Sequence, residues 1–130
     1  MKKLTQEKLK QMLEKGEKNF SHMDLSNLNL EYANLQEANF KNANLENANL
    51  ENTNLKNVDL SNLNLKNVNL SFAKLKNANL EKANLKNVNF KYANLKNANL
   101  KNTNLKNANF KNANLENANF KNAKFTRHEF

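Results

Sequence analysis

The sequence contains no cysteine, no proline and no tryptophan, and its single glycine is Gly16. Without cysteine the chain has no disulfide bonds and no thiolate chemistry. This absence is compatible with a reducing compartment, and we expect a cytoplasmic protein. Glycine and proline are common residues of sharp turns, so any tight corners in this chain must be formed by other residues.

Long apolar segments are also missing. The N-terminal Met1-Lys2-Lys3 is not followed by an apolar run, so it does not resemble a signal peptide. No segment has the length and apolar composition of a transmembrane helix, and we expect no membrane partner.

Enzyme signatures are equally scarce. The two histidines, His22 and His128, lie near opposite ends of the sequence and cannot share a site in an extended molecule. The carboxylates are scattered without a facing pair for acid–base catalysis, and there is no glycine-rich phosphate loop. We therefore predict no enzymatic activity, no metal site and no cofactor.

One five-residue pattern fills residues 19–130, as in Ala43-Asn44-Leu45-Glu46-Asn47. Every fifth residue from Phe20 to Phe130 is Leu or Phe, at all 23 positions, and we call this residue the centre. The residue two before the centre is usually Ala, Val or Thr. The residue just before the centre is Asn at 18 of the 23 positions, and the exceptions are Asp24, Asp59, Lys74, Lys124 and Glu129.

A period of five excludes the common regular structures. On a helix, five residues advance about 500°, so the centres would spiral around the axis instead of forming a stripe. On a flat strand an odd period would place successive centres on opposite faces. The pattern therefore predicts a coil that turns a corner every five residues, with all centres facing the axis.

We expect the Asn before each centre to serve this structure rather than a ligand. Asn tolerates unusual backbone angles and bonds to nearby backbone groups at turns. Stacked Asn side chains can also bond to one another along a rod. Lys74 and Lys124 cannot accept hydrogen bonds, so those two places should differ locally.

Units such as Ala78-Asn79-Leu80-Glu81-Lys82 and Ala113-Asn114-Leu115-Glu116-Asn117 resemble the pentapeptide-repeat family, whose consensus is A(D/N)LXX. The resemblance implies an all-β fold, a right-handed quadrilateral parallel β-helix with about 20 residues per coil. A spacing of 20 aligns Phe90, Phe110 and Phe130, which favours four sides. Residues 19–130 would then form about five to six coils.

Residues 1–18 do not repeat and predict a short N-terminal α-helix that caps the first coil. Thr5 suits the N-cap, and Leu4 and Leu9 could form a hydrophobic staple. Gly16 is well placed to end the helix. The alternative is a membrane-surface helix, but its apolar face is small, and we favour the cap.

One outward position departs from the polar rule. The second residue after the centre is usually Asn, but it is Tyr32, Phe72 and Tyr92 in three units whose spacings place them on one face of a four-sided rod. Together with Lys74 they form our candidate partner surface, for an unidentified protein. The alternative is drift of the repeat, with the rings covering neighbouring Lys stems.

The net charge of +9 is unevenly distributed. Residues 1–19 carry +3, residues 20–70 carry −3 and residues 71–130 carry +9. A solvated surface that keeps the rod soluble is the favoured interpretation. The alternative is a basic surface for nucleic-acid phosphates, represented by Lys86, Lys96 and Lys106, although Arg127 is the single arginine and no helix can enter a groove.

The C-terminal coil has no predicted cap. Bare strand edges and exposed phenylalanines favour pairing, so we predict an end-to-end homodimer with two-fold symmetry. Its candidate contact residues are Phe120, Phe125, Arg127, His128 and Phe130.

We expect a non-enzymatic scaffold, a rigid rod that presents residues to a partner. The family resemblance also implies an alternative, modulation of DNA gyrase by mimicry of DNA, which needs an acidic surface and is disfavoured by the charge of +9. Non-specific nucleic-acid binding by the basic C-terminal half is a further, weaker alternative.

Overall fold

The computed structural model describes residues 1–126, and the backbone of its repeat region recurs every 20 residues. Asn49 pairs in parallel with Asn69, and Asn69 pairs in the same way with Asn89. Because each unit has five residues, one coil contains four units and has four sides joined by four corners. The repeat region is therefore a four-sided β-helix solenoid.

Backbone hydrogen bonds join each coil to the next. The N–H of Leu70 donates to the carbonyl of Asn89 at 2.8 Å, and the N–H of Asn89 donates back to the carbonyl of Val68 at 3.1 Å. The corner contributes as well, since the N–H of Phe72 donates to the carbonyl of Lys91 at 2.9 Å. Equivalent residues are thus held directly above one another along the rod.

The centres fill the interior, as predicted. Leu65 has no exposed surface and lies in a column between Leu45 and Leu85, which are buried to the same extent. Rings stack where two phenylalanines follow each other, at 4.9 Å and 7° between Phe90 and Phe110. The small angle between the rings indicates that consecutive coils are rotated little relative to each other.

The residues two before the centres are buried beside them. Alanine and valine need no polar partner there, but threonine does. The Thr53 hydroxyl donates to the Leu50 carbonyl at 2.7 Å, and the Thr103 hydroxyl donates to the Leu100 carbonyl at 2.8 Å. Both threonines therefore face inward at no cost in unsatisfied hydrogen bonds.

The corners are type II turns formed by the two residues that follow each centre. At the corner after Leu75, the Ala78 N–H donates to the Leu75 carbonyl at 3.0 Å, and Asn77 has a φ of 61°. The second residue after the centre has a positive φ in every unit from His22 to Asn122. The prediction that the Asn before the centre has the unusual backbone angles is therefore wrong.

The Asn before the centre has a different task, which is to accept a hydrogen bond from the backbone N–H two residues later. Asp24 and Asp59 do the same. Twenty such bonds, 2.9 to 3.2 Å long, occur between Asn19 and Asn119. The predicted bond to a nearby backbone group is confirmed, and it satisfies the one corner N–H that has no partner in the next coil.

Amide side chains also bond between coils, both at the second residue after the centre and, as expected, at the Asn before the centre. The Asn87 side chain donates to Asn67, and Asn67 donates to Asn47, each at 2.9 Å. A bond of 3.3 Å joins Asn99 to Asn79 in the same manner.

The N-terminal segment lies against the first coil. Strand β1 (Lys2–Lys3) pairs in parallel with strand β2 (Met23–Asp24), and helix α1 (Gln6–Glu14) follows β1. The Thr5 hydroxyl accepts from the Lys8 N–H at 3.1 Å.

Helix α1 ends at Glu14, its C-cap is Lys15, and Gly16 follows with a φ of 73°, while the Glu17 N–H donates to the Met12 carbonyl at 2.9 Å. This is the Schellman arrangement that a glycine favours. Leu4, Leu9 and Met12 are buried and join the core of the rod.

One seam between coils is open. No inter-coil backbone bond joins residues 37–43 to residues 56–64 in the described part of the chain, and a cavity of about 470 Å³ lies there, lined by Phe40, Asp59 and Leu63 among others. Leu63 stands where the adjacent coils have Ala43 and Ala83, and its N–H does not form the turn bond to Leu60.

Substitution of Leu65 by Lys tests the interior. We expect a loss of at least about 3 kcal/mol in the free energy of unfolding, since the charge would be buried without a partner. Urea unfolding followed by circular dichroism measures it. Asn102→Lys is the control, because the same corner column already carries Lys82 at a φ of 62°. An unchanged unfolding midpoint for Leu65→Lys would contradict the fold.

Substitutions at Asn77 test the corner geometry. Asn77→Val should lower the free energy of unfolding by about 1–2 kcal/mol, because a β-branched residue is strained at positive φ. Asn77→Gly should cost far less, since glycine adopts this conformation freely. Equal losses in the two variants would show that the amide side chain, rather than the backbone angle, is what the corner requires.

Candidate functional site

We use the name aromatic corner for one of the four corners, which carries two residues in each of five successive coils. The second residue of each pair projects outward at the corner. The pairs are Glu31–Tyr32, Glu51–Asn52, Ser71–Phe72, Lys91–Tyr92 and Lys111–Asn112.

Two aromatic rings of this corner stack on the outside of the rod. The ring centroids of Phe72 and Tyr92 are 4.9 Å apart and their planes differ by 8°. Both rings remain exposed, Phe72 by 50% and Tyr92 by 53%. Tyr32 is in the same column and 71% exposed, but Asn52 separates it from Phe72. The structure thus joins two of the three predicted aromatic residues and leaves the third two coils away.

The backbone under these rings is unfavourable for aromatic residues. Phe72 has a φ of 59°, Tyr92 of 60° and Tyr32 of 65°. Asn tolerates this left-handed conformation far better than a bulky side chain does. An aromatic residue at such a position adds local strain, so its presence is not explained by the stability of the corner.

Lys74 follows Phe72 by two residues and is exposed. Its backbone is regular, since its N–H donates to the Thr53 carbonyl at 2.9 Å and its carbonyl accepts from Leu55 at 2.8 Å. Within residues 1–126, the Lys76 N–H has no side-chain acceptor of the kind that Asn supplies in the other units. The predicted local difference at Lys74 is therefore confined to one missing hydrogen bond.

The predicted basic residues do not converge on one surface. Lys86 and Lys106 share a corner, because the Asn87 N–H donates to the Lys106 carbonyl at 2.9 Å. Lys96 lies on the diagonally opposite corner, where its ammonium is 3.9 Å from the Glu116 carboxylate. A single ligand cannot contact all three side chains from one direction.

The predicted dimer end is described in part. Phe120 is half-buried and contacts Phe110 edge-on at 5.8 Å and Phe125 at 5.7 Å. Phe125 is exposed. Arg127, His128 and Phe130 lie outside the described residues.

Residues 1–126 contain no group of three or more His, Cys, Asp or Glu side chains placed to hold a metal ion. No helix among them has the length and apolar character needed to cross a membrane.

Parallel coils of 20 residues with a Leu or Phe in every fifth position, buried from Phe20 to Phe110, define a β-helix solenoid assembled from pentapeptide units. A family model of the pentapeptide repeat region matches residues 17–90 and 65–130. The chain therefore belongs to the pentapeptide repeat family.

Solved structures of this family resemble the chain. A trypsin-treated variant of QnrB1, a plasmid-mediated fluoroquinolone resistance protein, is 18% identical with a TM-score of 0.56, over 84% of this chain and 58% of that chain. Rfr23 from the cyanobacterium Cyanothece 51142 is 39% identical with a TM-score of 0.37, over 65% of this chain and 58% of that chain. The match to QnrB1 shows the fold alone.

HetL from Nostoc sp. strain PCC 7120, a pentapeptide repeat protein involved in regulation of heterocyst differentiation, is 27% identical. The match covers 82% of this chain and 56% of HetL, with a TM-score of 0.35. The chain thus spans less than two thirds of the length of each of these three proteins. No curated protein sequence matches it.

Replacement of Lys74 by Asn tests how much the lysine lowers the free energy of unfolding. We expect Lys74→Asn to raise the free energy of unfolding by about 0.5–1.5 kcal/mol, because the amide oxygen would accept from the Lys76 N–H. Chemical denaturation measures the change, and Lys74→Ala, which supplies no acceptor, should show no gain. If Asn and Ala are equally stable at this position, the hydrogen bond from the Asn side chain does not stabilise the unit.

Proposed function

We propose that this chain is a non-enzymatic scaffold, a rigid right-handed quadrilateral β-helix that binds a protein partner through the aromatic corner. The observation that carries the proposal is the exposed stack of Phe72 on Tyr92. These rings stand on a backbone conformation that disfavours them, in a column where Asn is the rule. Strain that is retained without a structural benefit supports a functional role for the side chains.

The chemistry of the rings suits a protein partner. Tyrosine and phenylalanine supply large, rigid contact areas, and they are enriched in the parts of interfaces that contribute most to binding. Positive charge is added by Lys74, two residues after Phe72, and by Lys91, which directly precedes Tyr92. This combination fits a partner surface with an apolar contact area and acidic residues near it.

Modulation of a topoisomerase is a less supported alternative. QnrB1 is a fluoroquinolone resistance protein, and this chain resembles it in fold alone. Mimicry of DNA would require a predominantly acidic rod, whereas this chain carries a net charge of +9. Only residues 20–70 are net acidic.

Nucleic-acid binding is favoured by one observation, the net charge of +9 in residues 71–130. Lys86 and Lys106 are on one corner and Lys96 is on another, so contacts would be limited to a few phosphates on any one side. Such binding would weaken steeply with added salt. The end-to-end homodimer through Phe120 and Phe125 likewise stays a prediction.

Capture of partners by the immobilised protein tests the scaffold function. Proteins retained from a cell extract by the wild-type chain should be lost with the double variant Phe72→Asn/Tyr92→Asn, which restores the usual repeat residue at both positions. The variant should be at least as stable as the wild type, because Asn relieves the strained backbone. Each lost protein is then purified and its binding measured directly.

The matched control moves the rings to another corner. Asn57→Phe/Asn77→Tyr in the background of the double variant restores the composition but places the pair one corner away, at φ values of 64° and 61°. Recovery of the same captured proteins by this control would show unspecific adhesion to exposed rings and would overturn the proposal, as would retention by the double variant.

A further inference from the structure

We infer that the aromatic corner pairs with the same corner of a second copy of this chain, with the two rods side by side and antiparallel. The inference builds on the proposed function in one respect, that this corner is an interaction surface. It names the partner, which is the protein itself. This arrangement differs from an end-to-end dimer, because the contact lies along the rod.

The charge along the aromatic corner reverses from one end to the other. The first residues of the five pairs, which follow the centres directly, form one column in consecutive coils. In order along the rod they are Glu31, Glu51, Ser71, Lys91 and Lys111. Two negative charges, one neutral residue and two positive charges make a sequence that is complementary to its own reverse.

A two-fold axis perpendicular to the rod at the level of Ser71 would use this complementarity. It places Glu51 opposite Lys91 of the second copy and Glu31 opposite Lys111 of the second copy. Symmetry repeats both contacts, as an isologous interface requires. The interface would then hold four ion pairs and no pair of like charges in this column.

The outer column is complementary in size under the same axis. Its residues are Tyr32, Asn52, Phe72, Tyr92 and Asn112. Tyr92 comes opposite Asn52 of the second copy, and Tyr32 comes opposite Asn112 of the second copy, so each large ring meets a small side chain. Phe72 meets its own symmetry mate at the axis, which gives an apolar centre with polar and charged surroundings.

The geometry of the rod permits contact over several coils. The planes of Phe72 and Tyr92 differ by only 8°, and those of Phe90 and Phe110 by 7°. Columns on the surface therefore run nearly straight for several coils. Ser71 is buried at the middle level, where its hydroxyl donates to the Asn69 side chain at 2.7 Å, so Phe72 is the outward side chain of the corner at the axis, and the exposed Lys74 lies two residues beyond it.

The other three corners lack this pattern. The equivalent columns there read Ser21, Lys41, Ser61, Glu81, Lys101 and Lys121; Ser26, Glu46, Lys66, Lys86 and Lys106; and Gln36, Lys56, Lys76, Lys96 and Glu116. None of them is complementary in charge to its own reverse over its full length, and the best local register, an axis at Ser61 that pairs Lys41 with Glu81, gives two ion pairs instead of four. The property belongs to the corner that also carries the exposed aromatic rings.

The charges that would pair are available. Within residues 1–126 the one intramolecular ion pair is between Lys96 and Glu116, on another corner. The Glu51 carboxylate accepts from the Asn69 side chain at 3.2 Å and from the Asn52 side chain at 3.4 Å, and each oxygen has a further lone pair that can accept from an ammonium group. Lys91 and Lys111 are exposed.

A narrow contact along one corner predicts a weak dimer. Five levels about 4.8 Å apart span roughly 19 Å along the rod. Interfaces of this size are at the low end of specific association. We expect a dissociation constant on the order of tens of micromolar at low ionic strength, with weaker association as salt screens the ion pairs.

Sedimentation velocity of the full chain over a concentration series tests the inference. Lys91→Glu should weaken dimerisation by about tenfold or more, because it places like charges opposite each other twice. Glu51→Lys should do the same. An equimolar mixture of the two variants should recover dimers, since one chain is then positive at both positions and the other negative at both.

The matched control is Lys86→Glu, which changes the net charge equally on a neighbouring corner and should leave dimerisation unchanged. A wild-type chain that is monomeric at about ten times the expected dissociation constant would overturn the inference. So would a dimer that survives Lys91→Glu, or one that Lys86→Glu disrupts as strongly. Loss of the dimer on Phe125→Asp but not on Lys91→Glu would establish the end-to-end contact instead.

The two proposals fail separately. Captured proteins that depend on Phe72 and Tyr92, together with a monomeric chain, would keep the scaffold function and overturn self-pairing. A dimer with the expected charge dependence, together with no captured protein, would support self-pairing. It would overturn the proposal that the aromatic corner binds a different protein.

Discussion

Every column on this rod depends on the backbone hydrogen bonds between successive coils. Each bond joins residues nineteen or twenty-one positions apart, as from Leu70 to Asn89 and from Asn89 back to Val68. An insertion or deletion of one residue would bring an inward centre opposite an outward polar residue in the next coil. The uninterrupted repeat therefore keeps Leu and Phe inside, and it also fixes which surface residues become neighbours.

Much of the fold follows from the sequence, because a period of five with a constant apolar centre leaves few alternatives. The buried position of Leu65, the inward threonines Thr53 and Thr103 and the shared column of Phe72 and Tyr92 were all predictable. The positive φ is at the second residue after the centre and not at the Asn before the centre, where it was predicted. Both Asn positions of a unit have the same chemistry, and only the backbone geometry distinguishes the turn residue from the one that accepts the corner N–H.

The candidate site was predictable as a set of residues but not as a surface. The sequence shows that the repeat is interrupted at Tyr32, Phe72 and Tyr92. It does not show that their backbone has a positive φ, which is strained for an aromatic residue. The charge reversal from Glu31 to Lys111 appears only when one corner is followed alone, since the total charge of each half hides it. The open seam near Leu63 depends on small displacements of two coils, which no pattern of residue types specifies.

That open seam has a mechanical consequence. In a solenoid each coil touches only its neighbours, so the molecule behaves like a row of linked units whose weakest link decides where it opens first. Between residues 37–43 and 56–64 one side of the rod lacks its backbone bonds, while the bond from Leu30 to Asn49 holds the opposite side and the bonds from Leu35 to Asn54 and from Leu45 to Asn64 hold the two adjacent sides. This one side is therefore where two coils would separate first, between the helix-bearing end and the more regular coils that carry the stacked rings.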